Sequence, residues 1–273
     1  MTDPGNSTSS PLIDAARLAG LLGAQRHRYA IEALAECAST SSLLLERAAC
    51  GAPSGSVVVA DRQHAGRGSR GRSWLATPEA SLTFSVLWAF DGGLDRLSGL
   101  SLAVGVAVVR ALEALGASGV ALKWPNDILH RDAKLGGILV ELSTDAGRAQ
   151  VVIGIGLNLA LPGSRAERDG FALPAAGLAD ALDELPERHR LLARLLGELA
   201  LVFDEFSDGG FAALRTHWQA RNAWQDRPVR LLREGQVVLQ GVCRGADTDG
   251  ALLVQTADGV ERCLSGDLSL RPL

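Results

Sequence analysis

The chain of 273 residues has no excess of basic charge. Lysine and arginine together number 27 against 31 aspartates and glutamates, a formal net charge of −4. A general nucleic-acid or anionic-membrane binder needs a basic surface, so any positive field here is local. The N-terminal MTDPGNSTSS lacks the basic and apolar regions of a signal peptide. Apolar stretches such as Leu102 to Val109 are too short to span a bilayer, and the chain reads as cytoplasmic. Cysteine is scarce. Cys37, Cys50, Cys243 and Cys263 lie far apart with no CxxC pair, and they read as reduced, partly buried thiols. His27, His64, His130, His189 and His217 show no metal-ligand spacing. There is also no Gly-x-Ser-x-Gly elbow.

What is present is a globular chain, 47% apolar, long enough for one large domain and a small one. Residues 1–10 are small and polar and read as a disordered tail. Between that tail and Ser39 there is room for a lead-in helix but not for a helix-turn-helix domain as well. Ser39-Thr40-Ser41-Ser42 caps a helix over Leu43 to Ala49. Ser56 to Ala60, Ser81 to Trp88, Val120 to Trp124, Gly137 to Leu142 and Gln150 to Ile155 read as strands. Apolar spacing predicts a helix over Leu97 to Leu115, ended by Gly116. A leucine-rich helix follows over Arg188 to Phe206. From Arg227 onward, short strand-like runs separated by turn signals indicate a small barrel.

Two segments carry most of the chemistry. The first is Gly66-Arg67-Gly68-Ser69-Arg70-Gly71-Arg72-Ser73-Trp74. Its GxGxxG spacing resembles a dinucleotide fingerprint, and Asp91 even falls where a ribose-binding acid would stand. That fingerprint must open a helix, whereas here Pro78 and a β-rich run follow. An anion clamp is the alternative: glycines allow close backbone approach, and Arg67, Arg70 and Arg72 offer forked donors. A solvated surface turn is the plainer one.

The second segment is Lys123-Trp124-Pro125-Asn126-Asp127, continuing to Lys134-Leu135-Gly136-Gly137-Ile138. Pro125 fixes a turn, and Asn126 and Asp127 favour a loop. A lone lysine at a strand end is ordinarily just solvated. Lys134, placed before paired glycines, can instead project beside a close-approaching backbone. Gly154-Ile155-Gly156-Leu157-Asn158 ends an apolar strand and adds a third candidate, since Asn158 can donate to an oxygen or orient a metal-bound water. The set suits electrostatic activation of phosphate chemistry better than a serine nucleophile.

Taken together, these residues resemble the biotin–protein ligase family, from about Glu36 to Arg271. Ser39-Thr40, Gln63 with Gly66-Arg67-Gly68, Lys123 to Asp127, Lys134 to Glu141 and Gly156-Leu157-Asn158 carry the likeness. Arg227-Pro228-Val229 and Ser265 to Leu270 resemble the family's C-terminal module. The resemblance implies an α+β catalytic domain (residues 11–225) related to class II aminoacyl-tRNA synthetases. An SH3-like C-terminal barrel (226–273) would follow it. It further implies a two-step reaction, through biotinyl-5′-AMP, on a biotin carboxyl carrier domain of a biotin-dependent carboxylase. ATP and Mg2+ would be required, with no dedicated protein metal site and the magnesium near Asn158.

By the same resemblance, Ser39, Thr40, Ser41 and Gln63 hold biotin. Arg67 and Gly68, next to Ser69, clamp its carboxylate and the phosphate. Lys134 neutralises charge at the reacting centre, and Lys123 supports the loop. Asn126, Asp127 and Asn158 lie near the nucleotide, with Phe171 either stacking on adenine or packing in the core. The family commonly carries arginine where Ser69 stands. Either Arg70 takes over in a shifted loop or the intermediate is held less tightly. The resemblance points to a ligase without a repressor domain and leaves room for a homodimer formed through a sheet edge. A lipoate–protein ligase and a non-catalytic biotin sensor are the competing readings.

Overall fold

The structure, a computed structural model, describes residues 10–145, 148–161, 173–264 and 268–273. The tail over residues 1–9, Phe171, and Ser265, Gly266 and Asp267 lie outside the described residues. A short helix, α1 (Ala15–Leu21), leads into β1 (Ala30–Cys37), α2 (Thr40–Ala49), β2 (Ser56–Gln63) and β3 (Ser81–Phe90). Then come α3 (Leu100–Ala114), β4 (Val120–Lys123), β5 (Asp127–His130), β6 (Ala133–Asp145), β7 (Arg148–Asn158) and the long α4 (Arg188–Gln219).

The seven strands form one sheet in the order β1-β2-β3-β7-β6-β5-β4. Only β1 and β2 run parallel; the other pairings are antiparallel. Alternation along the strands decides which face is covered by what. Val57 and Val59 of β2 join the main core with α3 and α4, while Val58 joins Leu44 and Ala48 of α2 on the opposite face. α2 is short, so it covers that second face only in part and leaves room for a cavity.

α2 starts at Thr40, three residues before the expected Leu43. Ser39 is the N-cap, and its hydroxyl accepts from the Ser42 N–H. α3 starts three residues later than its apolar spacing predicts. Gly99 takes φ +77° and packs against Phe211, so Leu94–Leu97 form a separate 3-10 turn. At its other end Gly116 has φ +97°, and Ala117 N–H returns to Leu112 O at 3.0 Å, a glycine-dependent stop. The run Leu94–Ala114 corrects the expectation from apolar length, being long and apolar enough to cross a membrane. It is apolar all round because it is a core helix, with most of its residues buried against the sheet and α4.

β5 is the second correction. Asn126 and Asp127 suggest a loop, yet Asp127 opens a strand paired on both sides, with Lys123 of β4 and Gly137 of β6. The β5–β6 turn is a two-residue connection in which Arg131 and Asp132 both take positive φ, 47° and 66°. That is the backbone of the tight turn that best suits antiparallel strands.

The C-terminal residues form β8 (Pro228–Arg233), β9 (Gln236–Ala246), β10 (Leu252–Thr256), β11 (Gly259–Cys263) and β12 (Leu268–Pro272). They make an antiparallel sheet in the order β11-β10-β9-β8-β12, with the last strand returning beside the first, as in a small SH3-like module. Among the described residues no pairing of β11 with β12 closes it into a barrel. This sheet is tied to the larger one by named bonds. Trp124 Nε1 donates to Gly250 O at 3.0 Å, and Arg227 Nη1, just before β8, donates to both Asp132 carboxylate oxygens at 3.2 Å.

Candidate active site

A cavity of about 530 Å3 opens on the α2 face of the seven-stranded sheet, within the size range of small-molecule sites. Ser39, Thr40, Ser41, Gln63, Arg67, Gly68, Ser69, Asn126, Asp127, Lys134 and Asn158 all line it. Residues from four distant stretches of sequence therefore meet at one place. Lys123 does not line the cavity but stands behind Asp127, and Phe171 lies outside the described residues.

One wall is a hydroxyl network. Thr40 N–H donates to Gln63 Oε1 at 2.7 Å, and the Thr40 hydroxyl lies 3.3 Å from the same oxygen. Thr40 and Ser41 hydroxyls meet Ser85 Oγ at 2.8 and 3.0 Å. Thr83 Oγ1, two residues before Ser85 on the same face of β3, is buried with no partner among the described residues. Buried donors of this kind await a ligand or water. Neither Thr83 nor Ser85 carries a signal in the sequence beyond the alternation of β3.

The opposite end is charged. Lys123 and Asp127 are cross-strand partners, so their side chains share a face. Lys134 joins them because of a bulge. Ile128 pairs with Gly136, but Leu129 pairs with Lys134, so one extra residue enters β6. Without the bulge Lys134 would sit opposite His130 and face the other way; with it, Lys134 shares the face of Asp127. Lys134 Nζ lies 2.6 Å from Asp127 Oδ1, and Lys123 Nζ donates to Asp127 Oδ2. Lys123 is 3% and Asp127 5% exposed. Burial pulls the Lys123 ammonium down to about 8, against the attraction of Asp127. Burial also pushes the Asp127 carboxyl up, but both ammonium groups outweigh it and hold the carboxyl below the usual carboxylate range. Lys134 is the more open cation, with its side chain 26% exposed.

The glycine loop closes the cavity as a small hairpin, not as the start of a helix. Trp74 N–H donates to Gly66 O at 2.8 Å and Gly68 N–H to Arg72 O at 2.7 Å. The Trp74 indole lies over Gly156, where a Cβ would come within 2.3 Å of the ring; only glycine admits the loop this closely. The Trp74 Nε1 is buried without a partner among the described residues. Arg67 is expected at a carboxylate of the ligand. In the structure its guanidinium donates to Glu141 Oε1 at 2.6 Å and Ser42 Oγ at 3.3 Å. Arg72 Nη2 donates to Ser69 Oγ at 3.0 Å, so the residue that departs from the family pattern shapes the loop tip.

The two asparagines differ in use. Asn126 Nδ2 donates to Ile138 O at 2.8 Å, leaving its buried Oδ1 unpartnered among the described residues. Asn158 Nδ2 donates to the Lys134 and Ala176 carbonyls, each at 3.2 Å. Its donors are spent on the chain, and the side-chain oxygen is what remains for a ligand. The most distant contributor is Arg271 of β12, which also lines the cavity. Burial pushes its guanidinium down, opposed by Asp127 and reinforced by Arg72 and Arg230. Nothing local in the sequence marks Arg271 as a site residue.

Two family profiles match the chain. The one described as the biotin/lipoate A/B protein ligase family covers residues 35–158, and the biotin protein ligase C-terminal domain covers residues 226–271. A bifunctional ligase/repressor BirA of Salmonella typhimurium is 36% identical over 275 residues, spanning 99% of this chain and 83% of that protein. A biotin–[acetyl-CoA-carboxylase] ligase of Mycobacterium tuberculosis is 34% identical, spanning 91% of each. Among solved structures, a biotin protein ligase from Aquifex aeolicus in complex with biotin and ATP matches with a TM-score of 0.77 at 30% identity. It covers 89% of this chain and 99% of its own. With both profiles, relatives of this identity along nearly its whole length and the same fold, the chain belongs to the biotin protein ligase family.

Proposed function

We propose that this chain is an ATP-dependent biotin–protein ligase acting on a lysine of a biotin carboxyl carrier domain. The observation that carries the reading is the Lys123–Asp127–Lys134 cluster at one end of a cavity whose other end is a hydroxyl network. A carboxylate and a triphosphate repel each other. A site that joins them must hold both in line and offset their charge, and position and electrostatics are the main levers for such a step.

In the first step a biotin carboxylate oxygen attacks the α-phosphorus of ATP. The bond to the β-phosphate oxygen breaks, and pyrophosphate leaves. Ser39, Thr40, Ser41 and Gln63 hold the head group, supported by Ser85. Gly68 and Ser69, on the loop with Arg67, cover the carboxylate. Lys134 offsets the charge that builds between carboxylate and phosphate. Asp127 keeps Lys134 aimed, and the two ammonium groups keep Asp127 ionised. In the second step the carrier's lysine nitrogen attacks the acyl carbon, the carbon–oxygen bond to AMP breaks, and the nitrogen loses a proton.

Magnesium would enter with the nucleotide. Among the described residues no group of three His, Cys, Asp or Glu could hold a metal, and both Asp127 oxygens face lysines. The side-chain oxygens of Asn126 and Asn158 are the donors this chain could add. The ion would offset phosphate charge. We assign residues 11–225 to catalysis and 226–273 to the C-terminal module, which lends Arg271 to the nucleotide end. Four free thiols suit a reducing cytoplasm.

The test is incubation with Mg-ATP and an unmodified carrier domain, adding biotin or lipoate in parallel and reading the carrier by intact mass. An ATP-dependent biotinyl gain is expected. Modification by lipoate alone would reassign the substrate, and biotin binding without transfer to a competent carrier would favour a sensor.

A further inference from the structure

Glu141 has no role in the reaction as set out above, and its surroundings are unusual. It stands on β6 two residues beyond Leu139, on the face that lines the cavity. One carboxylate oxygen, Oε1, accepts from Arg67 at 2.6 Å. The other, Oε2, is buried with no hydrogen-bond partner among the described residues. The Glu141 side chain is 17% exposed and that of Arg67 45% exposed. A carboxylate oxygen removed from water without a donor is costly. The guanidinium, a fork made for two oxygens, so far uses one of them. Its second arm rests on Ser42 Oγ, in the first turn of α2.

The geometry points to Glu141 as a positioning residue that straps the glycine loop over the cavity through Arg67. Three elements meet in this contact: the loop, α2 and β6. Arg67 pairs with Ser73 across the loop hairpin, so fixing its guanidinium fixes the hairpin beside the tip that carries Ser69. The spare Oε2 lets the pair become two-armed when the loop settles on a ligand. That second bond would satisfy the buried acceptor left unpaired among the described residues. The guanidinium of Arg67 works by fastening the cover, while Lys134 meets the reacting charge. A fastened cover matters because the acyl-adenylate must stay in place until a carrier lysine arrives.

The inference rests on the ligase reading and is tested on the full chain. Glu141→Gln, Arg67→Ala and the double variant are loaded with biotin and Mg-ATP, then chased with unlabelled ligand. The half-time of adenylate release, the KM for biotin and the kcat of pyrophosphate exchange are measured, with the thermal midpoint as a folding control. Each single variant is expected to shorten the half-time roughly tenfold, the worth of one charge-assisted hydrogen bond. Each should also raise KM more than it lowers kcat. The double variant should release no faster than the faster single, because both remove one contact. If Glu141→Gln does not fold, Glu141→Asp, charged but one methylene short, is expected to show the same split. An unchanged half-time in the folded variant, or additive effects in the double, overturns the strap alone. A wild-type chain that forms no adenylate overturns the ligase reading beneath it.

Discussion

At the scale of single residues, the charge cluster makes the firmest demands. Lys134 is the cation that the cavity shares with Asp127. Lys134→Ala is expected to lower pyrophosphate exchange by roughly a hundredfold or more, the range for losing one preorganised electrostatic partner; near-normal exchange would remove its assigned role. Lys123 titrates early because it is buried. In the unfolded chain it takes up its proton below about 10.5, but in the fold only below about 8. Between those values protonation favours the unfolded chain, so stability rises with pH through that window. Urea midpoints measured at both ends of the window should show the wild type gaining on Lys123→Met from the lower end to the upper. A difference that stays flat with pH would show that Lys123 keeps its charge. At the loop, Arg72 bonds to the small Ser69. Ser69→Arg supplies a longer donor at the position where the family commonly has one, and it should slow adenylate escape in a trapping assay.

At the scale of elements, packing requires two irregularities. The bulge in β6 turns Lys134 onto the face of Asp127. Gly156 of β7 lets Trp74 lie flat on the sheet. Gly156→Ala sets a methyl group against the indole. A destabilisation of about 1–3 kcal/mol is expected, together with weaker biotin binding as the loop lifts, read by denaturant titration and calorimetry. α2 was legible from Ser39 and the serine–threonine run, because capping is a local contest between side chain and backbone. β5 was not. Asn126 and Asp127 are turn formers taken alone, and it is pairing with both β4 and β6 that draws Asp127 into a strand.

At the scale of the whole molecule, the distribution of amines stands out. Of the 27 basic residues only Lys123 and Lys134 are lysines, and both are bound to Asp127. The product of the first step acylates amines, and arginine stays protonated and non-nucleophilic. Incubated with biotin and Mg-ATP beside a lysine-rich bystander protein, the chain should keep its mass apart from its N-terminal amine while the bystander gains label. Intact-mass spectra of both proteins check this, and label on either lysine would show that the Asp127 pairings do not protect them. The C-terminal sheet belongs to the same picture. It receives the Trp124 indole at Gly250 and returns Arg271 to the cavity.

The glycine–arginine loop, the turn over Trp124 to Asn126, Lys134 and the strand-rich C-terminus were readable in the chain itself, and so was the family. These are local patterns of backbone freedom, charge and alternation, and each survives without knowledge of what lies across the fold. The placement of Thr83, Ser85, Glu141 and Arg271 around the cavity was not readable, nor was the guanidinium of Arg67 turning towards Glu141. Thr83 and Ser85 look like ordinary strand hydroxyls, Glu141 is one acidic residue after an apolar run, and Arg271 lies more than two hundred residues from Ser39. Their placement depends on strand order, on one bulge and on a second sheet docking against the first. Tertiary packing alone decides those features, because the energy that selects them comes from contacts between residues far apart in the chain.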